Sequence, residues 1–359
     1  MIPDRMRGVV LTGHGGLEKL EYREDLPVPE PATDDVLIAV SACGMNNTDI
    51  NTRTGWYSKT VTGGTGEART ESGEDGSWGG GLSFPLIQGA DPCGRIVQVG
   101  DGVDRSRIGE RVLVDAWMRD PSGDLKNAEY LGSERDGGYA EYVTVPAPNA
   151  HSIETDLTDV ELASFPCSYA TAEHMLHRAG VATGQWVLVS GASGGVGGAL
   201  VQLAKRRGAR VVALTSPAKR ERVEEIGADV VLDRTVDGVD EAVLAATDGG
   251  VDVFADVVGG AMFPTLLETI KRGGHYTTAG AIAGPIVSLD LRTLYLHDLT
   301  MHGATVLSRE VFANLVSYIE NGQIRPIVAQ TFPLHQLADA QRVFMEKEHV
   351  GAIVIEVLE

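Results

Sequence analysis

The sequence predicts an α/β protein built on a doubly wound parallel sheet, with a second domain of short strands. Strand–helix alternation runs from about residue 152 to 303. Within it, a glycine-rich turn joins an apolar strand to an amphipathic helix. Before and after it lie short strands and helices with no such rhythm. Alternation of this kind means parallel strands joined by crossover helices, and 359 residues suit two domains better than one core.

The first region, 1–151, carries strand candidates at Val36–Ser41, Arg95–Val99, Arg111–Asp115 and Tyr139–Val145, each bounded by turn residues. Thr60–Gly81 differs, with eight glycines in 22 residues and almost no apolar side chains. Such a composition cannot offset its ordering entropy, so a mobile surface loop is expected. A lid and an inert tether both fit it. The middle region, 152–303, carries strands at Trp186–Ser190, Arg210–Thr215, Val230–Leu232, Val251–Asp256 and His275–Ala279. Helices are expected at Val196–Arg207, Ala218–Ile226 and Met262–Arg272. The tail, 304–359, reads as helices Glu310–Asn321 and Gln336–Lys347 and strand Ala352–Val357, returning to the first domain.

Composition narrows the function. A net charge of −20 disfavours nucleic acid and anionic membrane surfaces, which reward Lys and Arg. Cys43, Cys93 and Cys167 are too few and scattered for a disulfide framework, which points to a reducing compartment. With no apolar leader at Met1 and no uninterrupted apolar run of spanning length, a soluble cytoplasmic protein is expected.

Ser190-Gly-Ala192-Ser193-Gly194-Gly195-Val196-Gly197 leaves an apolar strand and enters a helix. That context suits a dinucleotide: small residues admit the pyrophosphate, and the helix N-terminus offers it free N–H groups. A glycine turn alone would be weak evidence. Selection of NAD usually needs an acidic residue about 20 residues after the loop, to accept from the ribose 2′-hydroxyl. Leu214–Arg220 holds no acid there, and Ser216, Lys219 and Arg220 offer a hydroxyl and two cations to a 2′-phosphate. NADP(H) is the expected cofactor. The plainer alternative, cations on a solvated helix start, is opposed by the helix dipole.

Several further motifs extend along nearly the whole chain: Pro27-Val-Pro-Glu-Pro, Gly44-Met-Asn-Asn-Thr-Asp49, Phe84-Pro-Leu-Ile-Gln-Gly89 with Gly94, and Gly138-Tyr-Ala-Glu-Tyr-Val143. Gln202-Leu-Ala-Lys205, Gly227-Ala-Asp229, Asp256-Val-Val-Gly259, Gly273-Gly274 and Phe332-Pro-Leu334 complete the set. With these the chain resembles the medium-chain dehydrogenase/reductase superfamily, in its quinone-oxidoreductase-like branch. The resemblance implies a GroES-like β-barrel catalytic domain, a Rossmann domain and an active site in the cleft between them. It also implies that Thr171, Val257, Ala279, Gly280 and Ala281 join the glycine loop in holding the cofactor. Edge-to-edge pairing through Leu299–Ala304 implies a homodimer, or a dimer of dimers.

Zinc-dependent relatives hold their catalytic metal with a Cys, a His and a second Cys. The matching positions here are Asn46, Ala90 and Cys167. One thiolate cannot replace three protein ligands, so no metal is expected. Without a Lewis acid, the remaining chemistry is hydride transfer to an already electrophilic carbon of an enone, enal or quinone. The resemblance places Asn46 and Tyr57 on the substrate side, and Thr48 where zinc-dependent relatives relay protons. The residues also admit plainer readings: Asn46 and Asn47 as turn residues, Asp49 as a helix cap, Tyr57 as a core aromatic, His174 and His177 as surface or interface residues. Two departures bear on the substrate. The Thr60–Gly81 loop is long for the branch, and Ala352 stands where relatives often carry Lys or Arg. A zinc-independent carbonyl or alcohol dehydrogenase, and an NADP-binding structural or regulatory protein with little turnover, are the competing functions.

Overall fold

The computed structural model describes residues 1–67, 81–120 and 127–358. Most of the Thr60–Gly81 loop, Trp78 included, lies outside the described residues. Two compact units emerge. One comprises Met1–Val61, Gly66–Cys167 and Ser308–Glu359; the other comprises Thr62–Thr65 and Ser168–Leu307. The expected boundaries stood at 151/152 and 303/304. The stretch between 151 and 167 joins the first unit through the pairing of Ala150–Ser152 with Arg111–Val114, and through Arg111, whose guanidinium donates to Asp159 at 2.6 Å.

The first unit is organised around the eleven-residue strand Asp35–Met45, buried on both faces for most of its length. Val36, Leu37, Ile38 and Val40 are β-branched or long apolar residues that fill a sheet interior well. Its antiparallel neighbours are Asp91–Val99, Ala352–Glu356 and Tyr142–Pro146. Arg111–Val114 and Ala150–Ser152 extend one side, and Val328–Pro333 pairs with Ala352–Glu356 on the other. A separate three-stranded sheet joins Leu20–Pro27, Arg5–Leu11 and Leu86–Ile87.

The second unit holds a six-stranded, wholly parallel sheet. Its order is Val230–Asp233, Arg210–Thr215, Trp186–Val189, Val251–Asp256, Ile270–Thr278 and Thr300–Gly303. This is the Rossmann arrangement. The chain winds outward one way from Trp186–Val189 and then the other, which places the topological switch beside that strand, where such sheets bind ligands. The near-continuous apolar strands fit a sheet covered on both faces. Leu188, Val212, Phe254, Phe263, Leu266 and Ile270 form its core.

One expected element is corrected. The spacing of Met262–Arg272 predicts a helix, but the α-helix spans only Phe263–Leu267, and Ile270–Thr278 is a strand. Pro264 suits a helix start, whereas Thr269, Ile270 and the Gly273–Gly274 pair favour extended chain and a turn. Pairing of Ile270 with Val251 captures the segment for the sheet.

Candidate functional site

In the second unit, the glycine turn is shaped by two close approaches. A Cβ at Gly197 would lie 2.1 Å from the Gly191 carbonyl oxygen, and one at Gly195 would lie 2.5 Å from Ser168 Oγ. Only glycine lets the helix Gly195–Arg206 seat so tightly on the strand end and on the neighbouring helix Pro166–Arg178, which carries Thr171. The N-cap is Gly194, which has no side chain of its own to cap the first turn. The helix start is left to a ligand with acceptor oxygens. Ser193, Gly194, Gly195 and Val196 are half-buried around it, while Ala192 and Gly197 are buried. Ala192 spends its N–H on the Leu214 carbonyl at 3.2 Å.

The other cofactor positions collect at the carboxyl ends of the same strands. Val257 donates its N–H to Ser190 Oγ at 3.0 Å, and the Val257 carbonyl accepts from Ile282, just past Ala279, Gly280 and Ala281. Ser216 is half-buried directly after Arg210–Thr215, and Lys219 follows in a short 3₁₀ turn. Arg220 turns back: its guanidinium donates to the Val231 carbonyl at 2.6 Å.

Three residues that sequence reasoning missed belong to this region. Thr215 is buried, and its hydroxyl oxygen has no hydrogen-bond partner at the strand end where a ribose would lie. Arg234, exposed after Val230–Asp233, lines a cleft with Ser190, Gly191, Leu214 and Asp256. Asp256 is the buried hub of the turn. It accepts from Ser190 Oγ at 2.5 Å, Tyr276 hydroxyl at 3.0 Å and the Val258 N–H at 2.8 Å. An acid closing a strand before Val-Val-Gly was the available signal for Asp256. The orphaned Thr215 hydroxyl and the open helix start fit a dinucleotide.

In the first unit, Asn46 caps the helix Asn47–Thr54, and the Asp49 carboxylate accepts the Asn46 N–H at 2.8 Å and the Tyr139 hydroxyl at 3.0 Å. The helix-cap reading of Asp49 therefore holds. Asn46 Nδ2 donates to Asp91 Oδ2 at 2.8 Å, and the Cys167 N–H donates to Asp91 Oδ1 at 2.9 Å. Burial pushes the Asp91 carboxyl up to about 8, against those two donors, and the Asp49 carboxyl to about 6. Tyr130 donates its hydroxyl to Cys167 Sγ at 3.3 Å and packs on Trp117 at 4.7 Å.

Tyr57 follows the left-handed Gly55 and packs edge-on against Trp56 at 5.7 Å. Burial raises its phenol pKa, while a hydrogen bond from Asn51 lowers it. Thr48 Oγ1 is buried and has no partner. Asn46, Thr48, Tyr57, Asp91 and Cys167 thus belong to one unit, and Asp91 ties Asn46 to Cys167. Of the two histidines expected at the surface or an interface, His174 is buried on Pro166–Arg178, whereas His177 on the same helix is exposed. Ala172, Met175 and Leu176 of the same helix are buried as well.

Two family models match. One, described as alcohol dehydrogenase GroES-like domain, covers residues 32–155; the other, described as zinc-binding dehydrogenase, covers 195–321. A solved structure from Sinorhizobium meliloti 1021, provisionally described as an alcohol dehydrogenase, is 49% identical with a TM-score of 0.92, covering 99% of this chain and 97% of its own. The chloroplastic NADPH-dependent alkenal/one oxidoreductase of Arabidopsis thaliana is 26% identical over 99% of this chain and 80% of its own length. The quinone oxidoreductase of Lama guanicoe is 28% identical over 93% and 92% respectively.

The second model's description raises the question of zinc, and the donor set does not fit it. Among the described residues no three His, Cys, Asp or Glu side chains come together as a metal requires. Ala90 has no donor, Asn46 has committed its Nδ2 to Asp91, and the Cys43 and Cys93 thiols are buried with pKa values raised by burial.

Proposed function

The chain belongs to the medium-chain dehydrogenase/reductase superfamily, in its quinone-oxidoreductase-like branch, and from that premise we propose that it is an NADPH-dependent reductase of activated double bonds or quinones that works without catalytic zinc. The oxidoreductase class follows from the family; cofactor, metal independence and substrate are the proposal. The observation that carries it is the Asn46–Asp91 hydrogen bond, which spends a donor side chain on holding a carboxyl where a zinc enzyme would need a ligand.

Bound NADPH would supply a hydride. The chain's part is to hold it and to receive the charge that hydride transfer creates. The glycine turn with Thr171, Val257 and the 279–281 segment would seat the dinucleotide, and Ser216, Lys219 and Arg234 would face its 2′-phosphate. Asn46 and Tyr57 would stabilise the developing enolate or quinol oxygen, and Thr48, with an unpartnered hydroxyl, would relay a proton. Tyr57 stays protonated near neutral pH, because burial raises its pKa.

The test is NADPH oxidation against quinones, enones, enals, ketones and enoyl thioesters. Turnover of conjugated acceptors, with saturated ketones inert, supports the proposal. Preferential turnover of saturated ketones, or oxidation of alcohols with NADP⁺, would favour the dehydrogenase reading that the Sinorhizobium structure's description suggests. Cofactor binding without turnover of any of them would leave a structural or regulatory role.

A further inference from the structure

A groove in the first unit brings two arginines together. Its volume is about 250 Å³, and Gly15, Leu17, Arg53, Arg342 and Met345 are among the residues that line it; Asn46, Thr48 and Tyr57 are not. Arg53 comes from the helix Asn47–Thr54, Arg342 and Met345 from the helix Leu337–Glu346. Arg53 is only 2% exposed, yet it is ion-paired with no carboxylate among the described residues. Its Nε donates to Gln341 Oε1 at 2.7 Å, its Nη1 to the Gly15 carbonyl at 2.7 Å and its Nη2 to Met345 Sδ at 3.5 Å. Gln341 is not part of the groove wall, whereas Gly15 and Met345 are, so the Nη end of the guanidinium is the end that meets the groove. A thioether is a weak acceptor, and each Nη keeps a second N–H.

A buried cation is costly unless an opposite charge meets it. Burial lowers the Arg53 pKa, and the Glu18 carboxylate opposes this only in part. The nearby acids are engaged elsewhere. Glu18 Oε1 takes the Gly16 N–H at 3.1 Å, and Asp339 pairs with Arg342 at 2.6 Å in an exposed contact that solvent weakens. What remains is a fixed fork of donors in the groove wall, with a second, exposed cation beside it. An oxyanion that accepts two parallel N–H bonds matches that fork. Leu17 and Met345 add apolar surface, which suits a short hydrocarbon body on the anion.

We propose that this groove binds a small oxyanion, a carboxylate or a phosphate, through Arg53 and Arg342, at a place distinct from the residues assigned to hydride transfer. The site does not depend on the reductase reading. Met345 closes the fork when the groove is empty, and its flexible thioether yields to a better acceptor.

The test is calorimetry on the full chain, free of nucleotide and at constant ionic strength, with sodium acetate, sodium butyrate and inorganic phosphate. Saturable binding at one site per chain is expected. Butyrate above acetate would assign the groove to carboxylates with an apolar body, and phosphate above both would assign it to phosphates. Met345→Glu places a carboxylate where the sulfur now accepts from Arg53, so this variant should lose anion binding and gain thermal stability. Arg342→Ala changes an exposed side chain, should fold as the wild type does, and should weaken binding by about threefold. It keeps the test decisive if Met345→Glu does not fold. Absence of saturable binding at tens of millimolar, or binding that neither variant alters, would overturn the proposal and leave Arg53 a brace between two helices and the Gly15 turn.

Discussion

The side-chain N–H of Asn46 is bound to the carboxyl of Asp91 at 2.8 Å, with both residues buried. Held this way, Asn46 presents a fixed amide in the first unit, and Asp91 is the residue that orients it. The Cys167 N–H locks the other carboxyl oxygen at 2.9 Å. The first prediction follows from the donors so committed. Purified protein should contain far less than one zinc per chain by elemental analysis, and NADPH oxidation should survive prolonged chelation. About one zinc per chain, lost together with activity, would refute metal independence.

Asp91 also ties stability to pH. Burial holds its carboxyl near 8, against an ordinary value of 3.8. Below about pH 4 both folded and unfolded chains keep the proton, and there is no penalty. As pH rises from 4 to 8, the unfolded chain releases it while the folded chain does not, so native stability falls, by a few kcal/mol at most. Asp91→Asn removes that proton from the balance. Urea unfolding of both proteins at pH 5 and pH 8 should show the wild type losing more stability than the variant over this interval. Parallel losses would mean that Asp91 titrates normally.

Thr48 separates a catalytic from a structural hydroxyl. Its buried oxygen has no partner, so Thr48→Val removes a polar group that contributes little to the fold. Stability should be unchanged or raised, by about 1 kcal/mol at most. If Thr48 relays a proton, kcat/KM should fall by roughly tenfold or more. Full activity in a folded Thr48→Val protein would remove Thr48 from the mechanism.

The cations beside the cofactor cradle differ in what their loss would disturb. Arg220 is bonded to the Val231 carbonyl, so its removal loosens the strand as well as any ligand contact. Lys219→Ala and Arg234→Ala test the other two cations. Each should weaken NADPH by roughly tenfold, the effect of one charge-assisted hydrogen bond, and leave NADH nearly unchanged. Equal loss for both cofactors, by fluorescence titration, would show that neither cation reads the 2′-phosphate.

Legibility in the sequence followed the range of the interaction. The strands Arg210–Thr215 and Val251–Asp256 have the bounds their apolar, β-branched runs predict, because a buried parallel strand writes itself into consecutive residues. The glycine turn is equally local. Arg5–Leu11 was not visible, since two arginines and a glycine hide its partly buried pattern. Met262–Arg272 has apolar spacing that suits a helix, yet pairing of Ile270 with Val251 makes its end a strand. In the first unit, Asn46 and Asp91 are 45 residues apart, and Tyr130 and Cys167 are 37 apart. No spacing rule joins such pairs; the first is joined by the sheet that brings Asp91–Val99 against Asp35–Met45.

The last prediction concerns the edge of the parallel sheet. Thr300–Gly303 pairs with Ile270–Thr278 on one side only, so its outer N–H and C=O groups have no strand to bind within the sheet. An uncovered edge invites uncontrolled association. Large apolar side chains are exposed in the sequence just before and within it: Leu291, Tyr295, Leu296 and Met301. A symmetric pairing of two copies through Thr300–Gly303 would satisfy the backbone groups and cover these side chains at once. Sedimentation at micromolar concentration should therefore show a dimer or larger closed assembly. Met301→Asp places two like charges near the symmetry axis of that pairing. It should shift the protein towards monomer by at least tenfold in dissociation constant, while the monomer keeps its NADPH affinity. A wild-type protein that stays monomeric at these concentrations would show that something other than a second copy guards this edge.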